Sequence, residues 1–456
     1  MNDRKPVSIH NILGRMPPAW QRDVIFFANI LALFYGNDKE IAQLRKEVGI
    51  IETYGSRLVP IVNLLFAGKN NILLLEKEPD SLLLEYFRNN LGLTIPGIKL
   101  AGYQDYSRVL DDERDFPEPL KALIKSFREN EAPWIDGFVT DACLDRIAGL
   151  TGKQTVCPVA ASRRGNNKLL LYEQWKKEEF PVFDTLIAGD PGVVEEACRK
   201  LKQDGYQRAV VKAQIGASGI GMLHVDFSQA FPEIPEYIFF EGPCLVQGWL
   251  DESFDPVTYI GSPSVQMMIN DDDIYLFDLT EQLLSRQSIH EGNVSPPGYL
   301  TLDNPVQGEI LRQAGSAGQW LREQGYRGTA SGDFHLIERD GRPEVRLCEV
   351  NARVTGATYP SVLARHFCPG RVWLMRNICF SPAIRDTLLL ETLKKHGVLF
   401  DPGKSEGILP FNFNYERPGE VMKGQFLFLA ENSQVVWSLL EQLVGIEELH
   451  GTFARD

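Results

Sequence analysis

The sequence predicts a mixed architecture, α/β in its first third and α+β beyond, and three observations lead there. Up to about residue 160 helical and strand signals alternate, the pattern of a parallel sheet with covering helices. A β-rich run at 208–212 then feeds directly into a segment carrying Gly216, Gly219 and Gly221. From 244 to 350 strands dominate, with helices returning at 306–323 and 359–367. The boundaries expected from these shifts are 1–160, 161–245 and 246–456, within the two to four domains that 456 residues suggest.

In the first region, residues 21–35 carry a wide apolar face. Their apolar core at 24–34 reads as a buried helix, far short of a membrane span. Residues 71–75 read as a short buried strand and 79–90 as a helix that Asp80 or Ser81 can cap. No glycine-rich dinucleotide fingerprint follows the first strand. The polar stretch 162–167 reads as punctuation, with Asn166 or Asn167 capping a helix at 168–177. A strand near 184–188, a helix at 192–204 and the strand at 208–212 come next. Further strands are expected at 244–249, 264–269, 274–279, 332–337 and 344–350. Residues 407–430, with a helix after Gln434, should pack back on the last lobe.

Composition narrows the class of partner. Hydrophobic residues make up 44% and charged residues 24%, as in ordinary globular chains. The net charge of −14 repels phosphate backbones and anionic lipid, so neither nucleic acid nor membrane is the expected partner. The 7 cysteines are widely spaced with no C-x-x-C, which fits reduced, buried thiols. With no signal-peptide pattern at the N-terminus, a cytoplasmic location is expected.

Two features carry chemistry. Lys212 ends a strand, and Gly216, Ser218, Gly219 and Gly221 follow it. Glycines let backbone N–H groups approach phosphate oxygens while the lysine adds a point charge. This is neither a Walker A loop nor a nucleophile elbow, and the plainer reading is a flexible strand-to-strand loop. The second feature pairs Asp333 with Glu349, Asn351 and Arg353, the last three at period two on one strand face. Asp340-Gly341 marks a hairpin between them. A two-residue turn would set Asp333 opposite Cys348 and send Glu349 to the other face. Pro343 favours a wider loop of about five residues, which places Asp333 opposite Glu349. Asp333, Glu349 and Asn351 would then form a hard-oxygen set suited to Mg2+, with Arg353 beside it. The plainer reading pairs Glu349 with Arg353 or Arg346 on an exposed strand.

Lys168 opening a helix, Val211-Lys212 with its glycines, Gly332-Asp333-Phe334 and the run Cys348-Glu349-Val350-Asn351-Ala352-Arg353 together resemble the ATP-grasp superfamily over residues 155–380. More loosely, residues 133–141 and 407–412 resemble peptide ligases related to the pheganomycin-forming enzyme. The resemblance implies an N-terminal pre-ATP-grasp α/β domain followed by a two-lobed ATP-grasp fold. It implies ATP and Mg2+, with Mn2+ as an alternative. Lys168 and Lys212 would bind nucleotide phosphates, and Gln247, Gly248, Trp249 and Leu250 would form the adenine hinge, although Gln247 stands where the family has an acidic residue. Asp333, Glu349 and Asn351 match the metal ligands and Arg353 the catalytic arginine, with Lys212 also at the reacting phosphate.

The activity so implied is ATP-dependent joining of an amino-acid or peptide carboxylate to an amine. Its rivals are another ATP-grasp transfer, such as a carboxylase, and a nucleotide-binding module without turnover. His290, within 286–292, reads either as part of a substrate loop over the acyl phosphate or as a solvated loop residue, and we assign it a catalytic role. His335 shares the face of Asp333, near phosphate or structural. Arg163-Arg164 reads as a charged linker. Small amino acids or peptides are the expected partners, and a homodimer is the default oligomer.

Overall fold

The chain begins its parallel sheet where a helix was expected. In the computed structural model, which describes residues 7–48, 51–251, 253–254, 257–284, 290–300 and 305–453, Val24–Phe27 is a strand and Ile30–Phe34 a short 3-10 helix. An apolar run covered on both faces has no period, so buried strand and buried helix look alike in sequence. The β-branched and aromatic side chains of 24–27 favour the strand. Asn29 makes the break: its Oδ1 accepts from Phe138 N–H, and its Nδ2 donates to the Val139 carbonyl and the Tyr106 hydroxyl.

Among the described residues three sheets form. The first has five parallel strands in the order Gly97–Leu100, Ile72–Leu75, Val24–Phe27, Trp134–Gly137, Gln154–Thr155. The expected strand at 71–75 and helix at 79–90 are present; Asp80 caps the latter, accepting from Leu83 N–H at 2.6 Å. Residues 162–167 are not a linker. Val159–Gly165 is a helix packed so closely that a Cβ on Gly165 would lie 2.6 Å from Ala352 Cβ. Asn167 caps the next helix, Lys168–Lys177, through Leu170 N–H at 3.0 Å, a contact worth about 1 kcal/mol.

The second sheet is antiparallel, in the order Thr185–Ala188, Cys244–Gly248, Arg208–Ala217, Ile220–Asp226. The third has eleven strands and holds all the expected strands from 264 to 350. Ser8–Asn11 joins it in parallel with Asp273–Leu284, a pairing with no signal in sequence. Gly407–Arg417 and Glu420–Ala430 join its far end, under helix Ser433–Gly445, as expected. One continuous apolar core runs from Phe26 and Phe27 of the first sheet to Phe411 and Phe426 of the third. The Tyr86 hydroxyl donates to the Phe400 carbonyl at 2.7 Å across that junction. The N-terminal sheet is thereby fixed over one end of the large sheet. No helix among the described residues is long and apolar enough to cross a membrane.

Asp136, on the interior strand Trp134–Gly137, is buried, and burial raises its carboxyl to about 7 despite the Gly137 N–H that it accepts. A carboxyl that holds its proton more tightly folded than unfolded contributes stability below its unfolded pKa and loses it as pH rises toward 7. Asp136→Asn is therefore expected to raise the unfolding free energy at pH 8 by up to about 4 kcal/mol. It should also flatten the pH 4–7 limb in urea titrations; equal slopes for both proteins would contradict this.

Candidate active site

The carboxylate pair forms as expected, by a different route. Gly328–Arg339 and Arg342–Asn351 pair with Arg339 opposite Arg342, so Asp340-Gly341 is a tight two-residue turn. Both turn residues have positive φ, 51° and 72°. Pro343 is tolerated because its strand pairs on one side only. The register is restored by a bulge: Phe334 faces Leu347 while Asp333 faces Glu349, leaving Cys348 unpaired. Ser331 faces Asn351, whose Nδ2 donates to Asp333 Oδ2 at 2.8 Å; Ser264 Oγ donates to Asp333 Oδ1 at 2.6 Å.

Cations close around this pair. Lys168 Nζ lies 3.1 Å from Glu349 Oε2, so the salt bridge is to Lys168, and Arg346 pairs with Glu344 instead. Arg353 donates to Asn166 Oδ1, which ties the arginine to the helix before Lys168. Burial would raise Glu349, but Lys168, Arg353 and Lys212 outweigh it and hold the carboxyl well below its usual range. Asp333 moves the other way, raised by burial and by the charge of Glu349. Lys212 is lowered by burial, with Cys348 and Glu349 opposing that shift.

The glycine segment is a hairpin and not a loose loop. The strand expected to end at Lys212 continues to Ala217, and Ser218 and Gly219 form the exposed tip. Ala217 and Ile220 are buried, and Lys168 Nζ donates to the Gly216 carbonyl at 3.4 Å. Gly221 has φ +78°, and a Cβ there would lie 2.7 Å from Oε1 of Glu40, which comes from the N-terminal helix Asp38–Val48. Glu40 is 2% exposed, and burial raises its carboxyl to about 7 against the pull of Lys168.

A cavity of about 330 Å3 joins these parts. It is lined by Lys168, Lys212, Gly216, Ser218, Gly219, Gly221, Gln247, Gly248, Trp249, Leu250, Asp333, Glu349, Asn351, Arg353 and His290, so every sequence-derived candidate faces it. Gln247 Nε2 donates to Thr185 Oγ1 at 3.0 Å. His335 also lines the cavity and bonds the Leu250 carbonyl at 2.7 Å. His290 Nε2 bonds Asn293 Oδ1 at 2.6 Å and is lowered by burial, which leaves it neutral at pH 7. Residues 286–289 of its segment lie outside the described residues. Sequence reasoning missed Phe183 and Ser264. It also missed a wall from the first domain, namely Ile30, Leu33, Leu44, Ile51 and Tyr54. Nothing local marks those five, because each reads as core.

The donor set fits a hard divalent cation. Asp333, Glu349 and Asn351 offer oxygen only, and the raised Asp333 beside a depressed Glu349 is what two facing carboxylates do without a cation between them. Among the described residues no three His, Cys, Asp or Glu side chains gather as a softer site.

No family model matches the chain. Among solved structures it is similar to N5-carboxyaminoimidazole ribonucleotide synthetase in complex with ADP, at 12% identity and TM-score 0.53 over 94% of this chain and 97% of that one. A carboxyaminoimidazole ribonucleotide synthase from Aspergillus clavatus complexed with ATP gives 14% and 0.54, over 93% and 97%. Biotin carboxylase from Campylobacter jejuni gives 12% and 0.55, over 95% and 92%. Among curated proteins, the ligase joining L-glutamate to the butirosin acyl-carrier protein in Niallia circulans is 26% identical over 205 residues. That match covers 44% of this chain and 46% of the relative, so it spans about half the length of each. The chain has the ATP-grasp fold, as its motifs led us to expect.

A left-handed backbone at Gly221 costs a non-glycine residue about 1–2 kcal/mol. Gly221→Ala, which also crowds Glu40, is expected to lower the melting temperature by several degrees and weaken ATP-analogue binding in a fluorescence titration. Unchanged binding would separate the hairpin from the nucleotide.

Proposed function

We propose that the protein is an ADP-forming carboxylate–amine ligase acting on amino acids or short peptides. The convergence of Lys168, Lys212, the glycine hairpin, the Asp333–Glu349–Asn351 set and Arg353 on one cavity carries this reading. A carboxylate resists amines because its carbonyl is electron-rich and oxide leaves poorly. A carboxylate oxygen attacks the γ-phosphorus, the bond to the β-phosphate oxygen breaks, and ADP departs. The amine nitrogen then attacks the acyl carbon, phosphate leaves with the bridging oxygen, and the nitrogen loses its proton. Positioning and charge neutralisation do most of the work in such transfers.

In this reading Gln247, Gly248, Trp249 and Leu250 seat the adenine, while the hairpin amides with Lys168 and Lys212 hold the phosphates. Asp333, Glu349 and Asn351 would hold Mg2+ or Mn2+, which neutralises triphosphate charge when bound. Arg353 faces the transferring phosphoryl group. Residues 161–245 act as the gripping lobe, 246–456 carry the metal ligands, and 1–160 cover the substrate end. The glutamate ligase among the relatives supports a carboxylate substrate. His290 belongs to the substrate end, because the strand carrying Asn293 stands three strand positions from that of Asp333.

Incubation with Mg·ATP, hydroxylamine and a panel of amino acids and peptides tests the reading. ADP formation matched by a hydroxamate is expected with at least one carboxylate. ADP driven by bicarbonate without hydroxamate would favour a carboxylase, and ATP binding without ADP a regulatory module. Lys212→Ala and Glu349→Gln are each expected to cut turnover by at least about 100-fold, in line with losses of charge-stabilising groups, while leaving circular dichroism unchanged. Near-wild-type turnover in either variant would overturn the site.

A further inference from the structure

The cavity extends past the phosphoryl machinery to an end of different character. Its wall there is apolar and comes from the first domain: Ile30, Leu33, Leu44, Ile51 and Tyr54. Beside that wall, two buried hydrogen-bond donors have no acceptor among the described residues. The Arg57 guanidinium lies 3.8 Å from the centroid of the Tyr54 ring, and its Nε is buried with no hydrogen-bond partner among the described residues. Asn293 Nδ2 is buried and unpartnered in the same sense, in a residue 1% exposed, while the Tyr359 hydroxyl packs beside Arg57 and donates to Tyr54. Asn293 lines the cavity and bonds His290, which lies in the field of both Arg57 and Arg376. Glu291 engages Arg376 at 3.3 Å.

Roughly nine in ten buried polar groups in folded proteins are hydrogen-bonded. Two unmet donors, Arg57 Nε and Asn293 Nδ2, therefore mark a place where an acceptor-rich anion belongs. A planar carboxylate suits an arginine with an amide donor nearby. This end is also remote from the metal ligands. Asp333 faces Ser264, Ser264 faces Thr280, and the strand of Thr280 pairs with that of Asn293. Three strand spacings amount to roughly 14 Å.

We infer that this end of the cavity binds the C-terminal carboxylate of a short apolar peptide, the amine acceptor, with Arg57 as anchor and the first-domain wall holding its side chains. The carboxylate held here is too far from Asp333 and Glu349 to be the one activated. A peptide of two or three residues, at about 3.3–3.6 Å each, carries its free amine most of the way back to the acyl phosphate. The acceptor role rests on the ligase reading; the subsite itself does not.

Calorimetric titration of the full-length protein with L-leucyl-L-leucine, its C-terminal amide and L-lysyl-L-lysine tests the subsite without turnover. The free acid of leucyl-leucine is expected to bind at least 10-fold more tightly than the amide or the lysyl peptide. Arg57→Ala should erase the acid–amide difference, Arg57→Lys should restore part of it, and both should bind an ATP analogue as the wild type does. Leu44→Asp should weaken leucyl-leucine with ATP-analogue binding again unchanged. Equal binding of acid and amide, a difference that survives Arg57→Ala, or no peptide binding at all would overturn the inference. Because hydroxamate formation reports the ligase reading separately, failure of one is distinguishable from failure of the other.

Discussion

Two partly buried carboxylates facing each other across a strand pair are the constraint on which the site depends. Asp333 and Glu349 repel, and neither is fully hydrated. They coexist because Lys168, Lys212 and Arg353 arrive from three separate elements and favour the charge on Glu349. Each arrival needs its own device. Lys168 stands at the first turn of a helix that Asn167 caps. Arg353 is tied to Asn166 at the end of the preceding helix, which Gly165 allows to lie close against Ala352. Lys212 comes from the middle of a strand whose continuation forms the glycine hairpin. A surplus of positive charge then faces the cavity, which is the condition for receiving a triphosphate on a chain of net charge −14.

The first domain completes the site without supplying its charged machinery. Its parallel sheet has strand order 3-2-1-4-5 in chain order, yet no glycine fingerprint follows its first strand. What it presents instead is an apolar wall, with Arg57 stacked on Tyr54 behind it, and Glu40 beneath Gly221. The continuous core shared with strands 407–430 holds that wall in place. In the proposed reading, nucleotide chemistry and substrate selection thus sit on different parts of one frame.

The common face of Glu349, Asn351 and Arg353 was legible in sequence because these residues are close in the chain and recur at strand period. Glu349, Asn351 and Arg353 announce their common face by spacing alone. Their pairing with Asp333 was harder. Pro343 argued against a tight turn, whereas the structure keeps the tight turn and corrects the register with a bulge at Cys348. A bulge has no local signature, so correct pairing was reached through a wrong turn. The apolar run at 24–34 misled for a related reason: when both faces are buried, no period distinguishes strand from helix. The apolar wall was illegible altogether, since Ile30, Leu44 and Ile51 look like any core residue until the fold turns them toward a cavity.

The central claim, that a carboxylate is activated by phosphorylation in this cavity, has a direct isotopic test. The carboxylate that supports ADP formation is labelled with 18O in both oxygens, the full reaction is run with an amine, and the released phosphate is weighed by mass spectrometry. Activation through an acyl phosphate delivers one labelled oxygen from each carboxylate into phosphate. Phosphate carrying no label, with amide still formed, would contradict it.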